Sequence, residues 1–192
     1  MTEGSFRGFI ALPSPKPLTE KLETLQQELK PLGLDAKWVT PSQIHLTLKF
    51  LGETSFSLLE KWKESLDGIA GRRNAFSFRI ERFGAFPDFR RPRVLWVGSG
   101  EVPSELQELA GMIEAEAVRF GFEKETRAFK AHLTLARLRS PQNGPRLEAW
   151  ATEHPAPLRE EFPCGRVILF QSTLTPHGPI YQPLHEVTLK GS

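Results

Sequence analysis

Cysteine is nearly missing from this chain: Cys164 is the one copy in 192 residues. No internal disulfide and no cysteine-based zinc site can form, and the lone thiol reads as a buried side chain on a strand. Excess charge of one sign is missing too. The 25 Lys and Arg against 23 Asp and Glu leave a formal +2, which excludes a chain that coats nucleic acid by charge alone and leaves any anionic partner to local basic patches. No apolar run approaches membrane-spanning length, since the longest aliphatic stretch, around Val167-Ile168-Leu169-Phe170, is strand-sized. The opening Met1-Thr2-Glu3-Gly4-Ser5-Phe6-Arg7 carries no apolar signal segment. The expectation is a cytoplasmic protein with no membrane partner. There is no glycine-rich phosphate loop after the first strand, and no His-x-His, His-Glu-x-x-His or Asp-rich cluster. Neither a metal nor a cofactor is expected.

What the chain does contain is the tetrapeptide His-Leu-Thr-Leu, twice. It stands at His45-Leu46-Thr47-Leu48 and, 87 residues later, at His132-Leu133-Thr134-Leu135. Each copy alternates leucine with His and Thr at period two, so each reads as a strand with one imidazole and one hydroxyl on the face opposite the leucines.

The surrounding pattern repeats as well. A strand over 6–12 closes at Pro13-Ser14-Pro15, and a helix with Leu18, Leu22, Leu25 and Leu29 on one stripe stops at Pro31-Leu32-Gly33 before the first histidine strand. A second helix carries Leu58, Leu59, Trp62, Leu66 and Ile69, and alternating Phe76, Phe78 and Ile80 mark another strand. A strand over 93–97, a helix with Leu106, Leu109, Ile113, Ala117 and Phe120 on one face, and the second histidine strand over 132–138 then follow. A Pro/Gly/Asn segment over 140–145, a short helix near 147–151 and strands near 162–170 and 181–189 complete the chain. The half-polar strands argue against a doubly wound parallel sheet. We expect an α+β fold: a single bilobal domain over 1–192, its two pseudo-symmetric lobes built on largely antiparallel sheets flanked by helices. The two His-Thr faces would confront each other across a central cleft.

Two imidazoles on one cleft form an acid–base pair. A neutral one removes a proton from attacking water, while its protonated partner gives one to the leaving oxygen. The Thr47 and Thr134 hydroxyls can donate to non-bridging phosphate oxygens as charge grows there.

These residues resemble the two-histidine phosphoesterases and, within them, the RNA 2′,3′-cyclic phosphodiesterases of the LigT/ThpR family, with their HXTX motif. The resemblance spans nearly the whole chain. Arg7-Gly8-Phe9-Ile10-Ala11-Leu12 is similar to the family's first strand, and Ile44-His45-Leu46-Thr47-Leu48-Lys49-Phe50-Leu51-Gly52 to its first signature. Phe86-Pro87 with Pro92-Arg93-Val94-Leu95-Trp96-Val97-Gly98 resembles its middle strand, and Lys130-Ala131-His132-Leu133-Thr134-Leu135-Ala136-Arg137 its second signature. Ser172-Thr173-Leu174 with Pro176, Gly178-Pro179 and Tyr181 resembles its last hairpin. The resemblance implies a bilobal fold and hydrolysis of a terminal RNA 2′,3′-cyclic phosphate to a 2′-phosphate, with O3′ as leaving group. It implies His45 as proton donor and His132 as proton acceptor, and tRNA processing as context. Joining of RNA ends through a 2′-5′ linkage would be a side activity. The RNA end is the expected partner, and the chain is expected to act as a monomer.

Four further residues are candidates for substrate binding. Lys49 shares the parity of His45 and Thr47, although a solvated lysine fits that position equally well. Arg137 falls on the leucine parity and reaches the cleft only if the strand bulges. Arg93 belongs to Arg90-Arg91-Pro92-Arg93, which with Phe83, Phe86 and Phe89 mixes cations and aromatics as single-stranded RNA contacts do, or else forms a solvated loop. Tyr181, the one tyrosine, could stack on a base or sit at the core edge. His154, His177 and His185 have no partner motif. Two rival functions stand beside the main one: a phosphodiesterase for 2′-5′ oligonucleotides or small cyclic nucleotides, and a non-catalytic RNA or nucleotide binder. A matched acid and base argues against the binder.

Overall fold

A computed structural model describes residues 4–176 and 178–191. His177 and Ser192 lie outside the described residues. In chain order the elements are β1 (Ser5–Pro13), α1 (Lys16–Leu29), β2 (Ala36–Trp38), β3 (His45–Ser55), α2 (Leu59–Ala70), β4 (Phe76–Ile80), β5 (Arg82–Phe86) and β6 (Val94–Gly98). Then come α3 (Ser104–Arg119), β7 (His132–Leu138), α4 (Gly144–Glu153), β8 (Glu160–Cys164), β9 (Arg166–Thr175) and β10 (Gly178–Thr188). α1 has proline in its first turn, where no backbone N–H is needed. Its Leu18, Leu22, Leu25 and Leu29 are buried as one stripe, and Gly33 at φ 70° ends the turn that follows. Trp62, Leu66 and Ile69 of α2 and Leu106, Leu109, Ile113 and Ala117 of α3 are buried in the same way.

The strands form one eight-stranded sheet in the order β10-β9-β1-β3-β7-β6-β5, with β2 added beside β7, and a two-stranded sheet β4-β8. All these strand pairs are antiparallel, so the fold is α+β as the half-polar strands imply. The order is two-fold in pattern. β1 lies between β3 and β9, while β6 lies between β7 and β5. Each half therefore completes its sheet with a strand from the other: β5 belongs by sequence to the first half and β9 to the second. The helices cross over in the same sense. α3 packs on β3, whereas Gln26 of α1 donates to the carbonyls of Val39 (2.8 Å) and Leu135 (2.9 Å) beside and within β7.

The two histidine strands meet through one residue pair, Leu46 with Leu133. They are neighbours in one sheet, and the polar faces expected to confront each other instead adjoin and open from that pair. β2 and β5 carry no legible period: β2 has three residues, and β5 is the short run Arg-Phe-Gly-Ala-Phe. The run near 162–170 breaks at Gly165 into β8 and β9. Cys164 is buried, and burial pushes its thiol up to about 12, so it is inert as a nucleophile.

Gly98 of β6 lies opposite His132, and a Cβ there would stand 2.1 Å from the Ala131 carbonyl oxygen. Because the obstacle is backbone, Gly98→Ala should cost about 1–3 kcal/mol, measured as a lower urea midpoint at unchanged slope.

Candidate active site

Both histidine strands carry the same irregularity at the same place. In the ladder with β1, Ile10 pairs with Lys49 and Ala11 with Thr47, so Leu48 is the extra residue. In the ladder with β6, Leu95 pairs with Ala136 and Trp96 with Thr134, so Leu135 is the extra residue. A bulge of this kind shifts side-chain parity by one. The burial of the seven residues from each histidine onward is accordingly identical: histidine and threonine half-buried, the leucines and the residue after them buried, the next exposed.

That shift decides two of the substrate-binding candidates. Arg137, on the wrong parity for a regular strand, is turned to the histidine face and is exposed there. Lys49 is turned away. It is 9% exposed, its ammonium lies 2.7 Å from Glu114 of α3, and it donates to the Glu123 carbonyl at 3.1 Å. The expectation that Lys49 binds substrate is therefore corrected. It joins β3 to the helix beneath, because the bulge reverses the alternation on which the expectation rested. Arg93 stays exposed just before β6, where its backbone bonds Phe86 and Leu138, and its charge is not among those that perturb either histidine. Of its expected aromatic companions, Phe83 is buried in β5 and Phe89 packs on the core. Phe86 alone of the three reaches a histidine.

The two imidazoles are held identically. His45 Nδ1 lies 2.7 Å from the Gln43 carbonyl oxygen and His132 Nδ1 lies 2.7 Å from the Lys130 carbonyl oxygen. A carbonyl can only accept, so Nδ1 carries the proton in each ring and Nε2 is left for chemistry. Antiparallel counting from Leu46–Leu133 sets His45 opposite Thr134 and Thr47 opposite His132, which makes the two imidazoles diagonal neighbours on one face. Among the described residues, neither threonine hydroxyl has a hydrogen-bond partner. Both histidines lie below their ordinary value near 6.5. For His45 burial is the main cause, with the charges of His132 and Arg137 adding to it against the opposing bond to Gln43. For His132 burial again leads, the bond to Lys130 opposes it, and the charges of Arg137 and Lys130 add to it. Arg137 also pulls down Tyr181, whose phenol burial otherwise raises. One guanidinium thus acts on both imidazoles and the tyrosine.

Aromatic walls stand beside each histidine. Phe9 stacks on His45 (4.8 Å, 27°) and on Phe170 (5.1 Å, 19°), and Tyr181 meets His45 edge-on (5.3 Å, 85°). In the other half Trp96 stacks on Phe86 (5.0 Å, 28°), which meets His132 edge-on (5.1 Å, 83°). The walls occupy matching positions: Trp96 follows Phe9 by the same 87 residues that separate the histidines. Sequence reasoning assigned no role to Phe9, Trp96, Phe170 or Gln43, and placed Phe86 in a basic RNA-contacting loop rather than beside His132. The available signal was apolar residues on both parities of a strand, as in Val94-Leu95-Trp96-Val97, which marks a strand covered on both faces. Of the expected site residues, His45, Thr47, His132, Thr134, Arg137 and Tyr181 come together. Among the described residues, no three His, Cys, Asp or Glu side chains are grouped to hold a metal.

Comparison with known proteins agrees with this two-part arrangement. The family described as LigT like Phosphoesterase matches twice, over residues 12–96 and 97–181. An RNA 2′,3′-cyclic phosphodiesterase of Aquifex aeolicus is 30% identical over 186 residues, covering 96% of this chain and 98% of that one. One from Aeropyrum pernix is 34% identical over 172 residues, covering 90% and 97%. Among solved structures, Escherichia coli LigT complexed with 3′-AMP superposes with TM-score 0.79 at 26% identity, covering 97% of this chain and 99% of that one. A Thermus thermophilus protein superposes with TM-score 0.78 at 29% identity, covering 96% and 98%.

Removing the shared guanidinium should raise all three groups it depresses. In Arg137→Gln, NMR titration should show His45, His132 and Tyr181 all titrating at higher pH than in the wild type; unmoved histidines would contradict the placement of Arg137. Lys49→Met should behave as a stability variant instead, leaving the Glu114 carboxylate without its cation. A loss of about 1–3 kcal/mol in chemical denaturation is expected, with KM unchanged.

Proposed function

The chain belongs to the LigT-like phosphoesterase family, and on that premise we propose that it hydrolyses the 2′,3′-cyclic phosphate at the end of an RNA to a 2′-phosphate, with His45 as proton donor and His132 as proton acceptor. The observation that carries the reading is the pair of imidazoles fixed in one tautomer by main-chain carbonyls, each with Nε2 left for chemistry on the same face. Neutral His132 takes a proton from water at Nε2 as the water oxygen bonds to phosphorus. The P–O3′ bond breaks, and protonated His45 gives its Nε2 proton to O3′. The product is a 2′-phosphomonoester with a free 3′-hydroxyl, and the two imidazoles end with their protonation exchanged. Thr47, Thr134 and Arg137 donate to the non-bridging oxygens, where negative charge accumulates as water adds. Tyr181 and Phe9 bound the space beside His45 for the terminal nucleoside.

In this reading residues 1–192 act as one bilobal unit, each half giving one histidine and one threonine. All the groups come from one chain, which supports action as a monomer. The acid, base and anion-stabilising groups are side chains, so no metal is required. Among the described residues no helix is long and apolar enough to cross a membrane, and we place the enzyme in the cytoplasm acting on fragments such as those of tRNA processing. Joining RNA ends through a 2′-5′ linkage would be the same steps with the 5′-hydroxyl of a second RNA end in place of water.

The direct test is turnover of an oligoribonucleotide with a 2′,3′-cyclic end in EDTA, the product isomer being identified. A 2′-phosphate is expected; a 3′-phosphate, or activity restored by one divalent ion, would contradict the scheme. His45→Ala and His132→Ala should each lower kcat by about 10²–10⁴ with binding largely kept. A nitrophenyl ester, whose leaving group needs no proton, should rescue only the His45 variant. The pH dependence follows from the shifts. Activity needs one ring protonated and one neutral, so it falls above the higher pKa and below the lower. Both lie below 6.5 in the free enzyme, so kcat/KM should peak on the acid side of 6.5. The kcat profile should peak at higher pH, because a bound phosphate anion favours the protonated imidazole.

A further inference from the structure

Lys37 and Arg137 stand directly opposite each other in the β2–β7 ladder. Residues so paired share a sheet face, and Arg137 is on the face of the histidines, so Lys37 is too. Its neighbours Ala36 and Trp38 point the other way and pack on the core. Like charges directly opposite destabilise a ladder, and here nothing relieves them: among the described residues neither cation forms an ion pair. The nearby carboxylate of Asp35 faces Arg139 instead. The Lys37 ammonium lies 3.7 Å from where a Cβ of Gly178 would stand at the start of β10, three residues before Tyr181. The Arg137 charge acts on His45, His132 and Tyr181, whereas that of Lys37 shifts none of them. The two cations are therefore neighbours on one face, carried by strands about 4.8 Å apart, with Arg137 the nearer to the imidazoles.

We propose that Lys37 is a second anion site, which binds the phosphodiester joining the terminal nucleotide of the substrate to the nucleotide before it. The assignment rests on the reading that a terminal cyclic phosphate lies at the histidines. With that phosphate beside Arg137, the next negative charge along the substrate is the internal phosphodiester, and Lys37 is the cation directly across the ladder from Arg137 on the same face. A mononucleoside cyclic phosphate has no such group, so Lys37 makes the enzyme favour RNA ends over mononucleotides. The unrelieved charge pair is then a feature of the free protein that substrate neutralises.

Three substrates test this: adenosine 2′,3′-cyclic phosphate, a dinucleotide ending in a 2′,3′-cyclic phosphate, and the same dinucleotide with a neutral methylphosphonate linkage. In Lys37→Gln the ratio of kcat/KM on the charged dinucleotide to that on the mononucleotide should fall about 10-fold, through KM. Lys37→Arg should retain the ratio. The salt slope of dinucleotide binding should fall by about one. Within the wild type, the neutral linkage should lose about 10-fold in kcat/KM relative to the charged one, a comparison that needs no variant. An unchanged ratio in Lys37→Gln, or equal wild-type rates on the charged and neutral dinucleotides, would overturn the proposal. Absence of turnover on all three substrates would instead sink the hydrolytic reading. Equilibrium titration of the charged against the neutral dinucleotide would then still decide the anion site, equal affinity refuting it.

Discussion

Two extra residues, Leu48 and Leu135, fix what this face of the sheet presents. A strand of regular alternation would set Lys49 beside His45 and hide Arg137 among the leucines. The bulges reverse both, so the polar face carries His, Thr and then the fifth residue after the histidine: Phe50 in one half, 66% exposed, and Arg137 in the other. Each bulge is secured from below by a helix of the opposite half. Gln26 of α1 donates to the carbonyl of the bulged Leu135, which Val39 also caps at 2.9 Å. Next to Leu48, Lys49 is tied to Glu114 of α3. A buried amide and a nearly buried ion pair are costly to leave unsatisfied, so the register error that makes the site is also what the helices hold in place.

The near-symmetry of the frame makes its departures informative. Phe9 with Phe170 and Trp96 with Phe86 are equivalent walls, and Gln43 and Lys130 equivalently supply the carbonyl that accepts from each histidine. Beyond that the halves differ. Gln43 donates from its side chain to the Pro179 carbonyl at 2.8 Å, tying the strand that carries Tyr181 to the segment that orients His45. Lys130 puts its ammonium over the Phe86 ring at 5.4 Å and adds its charge to those acting on His132. One imidazole thus faces a phenol and the other a cation, and a symmetric scaffold offers two unlike environments for two unlike proton transfers.

Much of this was legible in the sequence because it is written in local periodicity. The leucine stripes of α1 and α3 and the alternation of His-Leu-Thr-Leu each report one face of one element. The bulges were not legible, since Leu48-Lys49 and Leu135-Ala136 contain no glycine or proline and nothing local marks the slipped pairing. Lys49 was misplaced for that reason, and Arg137 was left dependent on it. β2 escaped because three residues cannot show a period, and with it Lys37, whose position has meaning only through its partner across the ladder. One aromatic wall was hidden because Phe9 and Phe170 come from strands far apart in the chain, the other because Phe86 reaches the distant His132 only in the folded sheet.

The restraint on each imidazole comes from the main chain, and that has a consequence for how the protein can vary. A side-chain carboxylate in that place could be lost by a single substitution, and its charge would raise the histidine it held. A peptide carbonyl is supplied by whatever residue occupies the position, and here the two occupants, Gln43 and Lys130, share no chemistry. Tautomer control is thus insulated from mutation, while the side chains at those same two positions stay free to diverge.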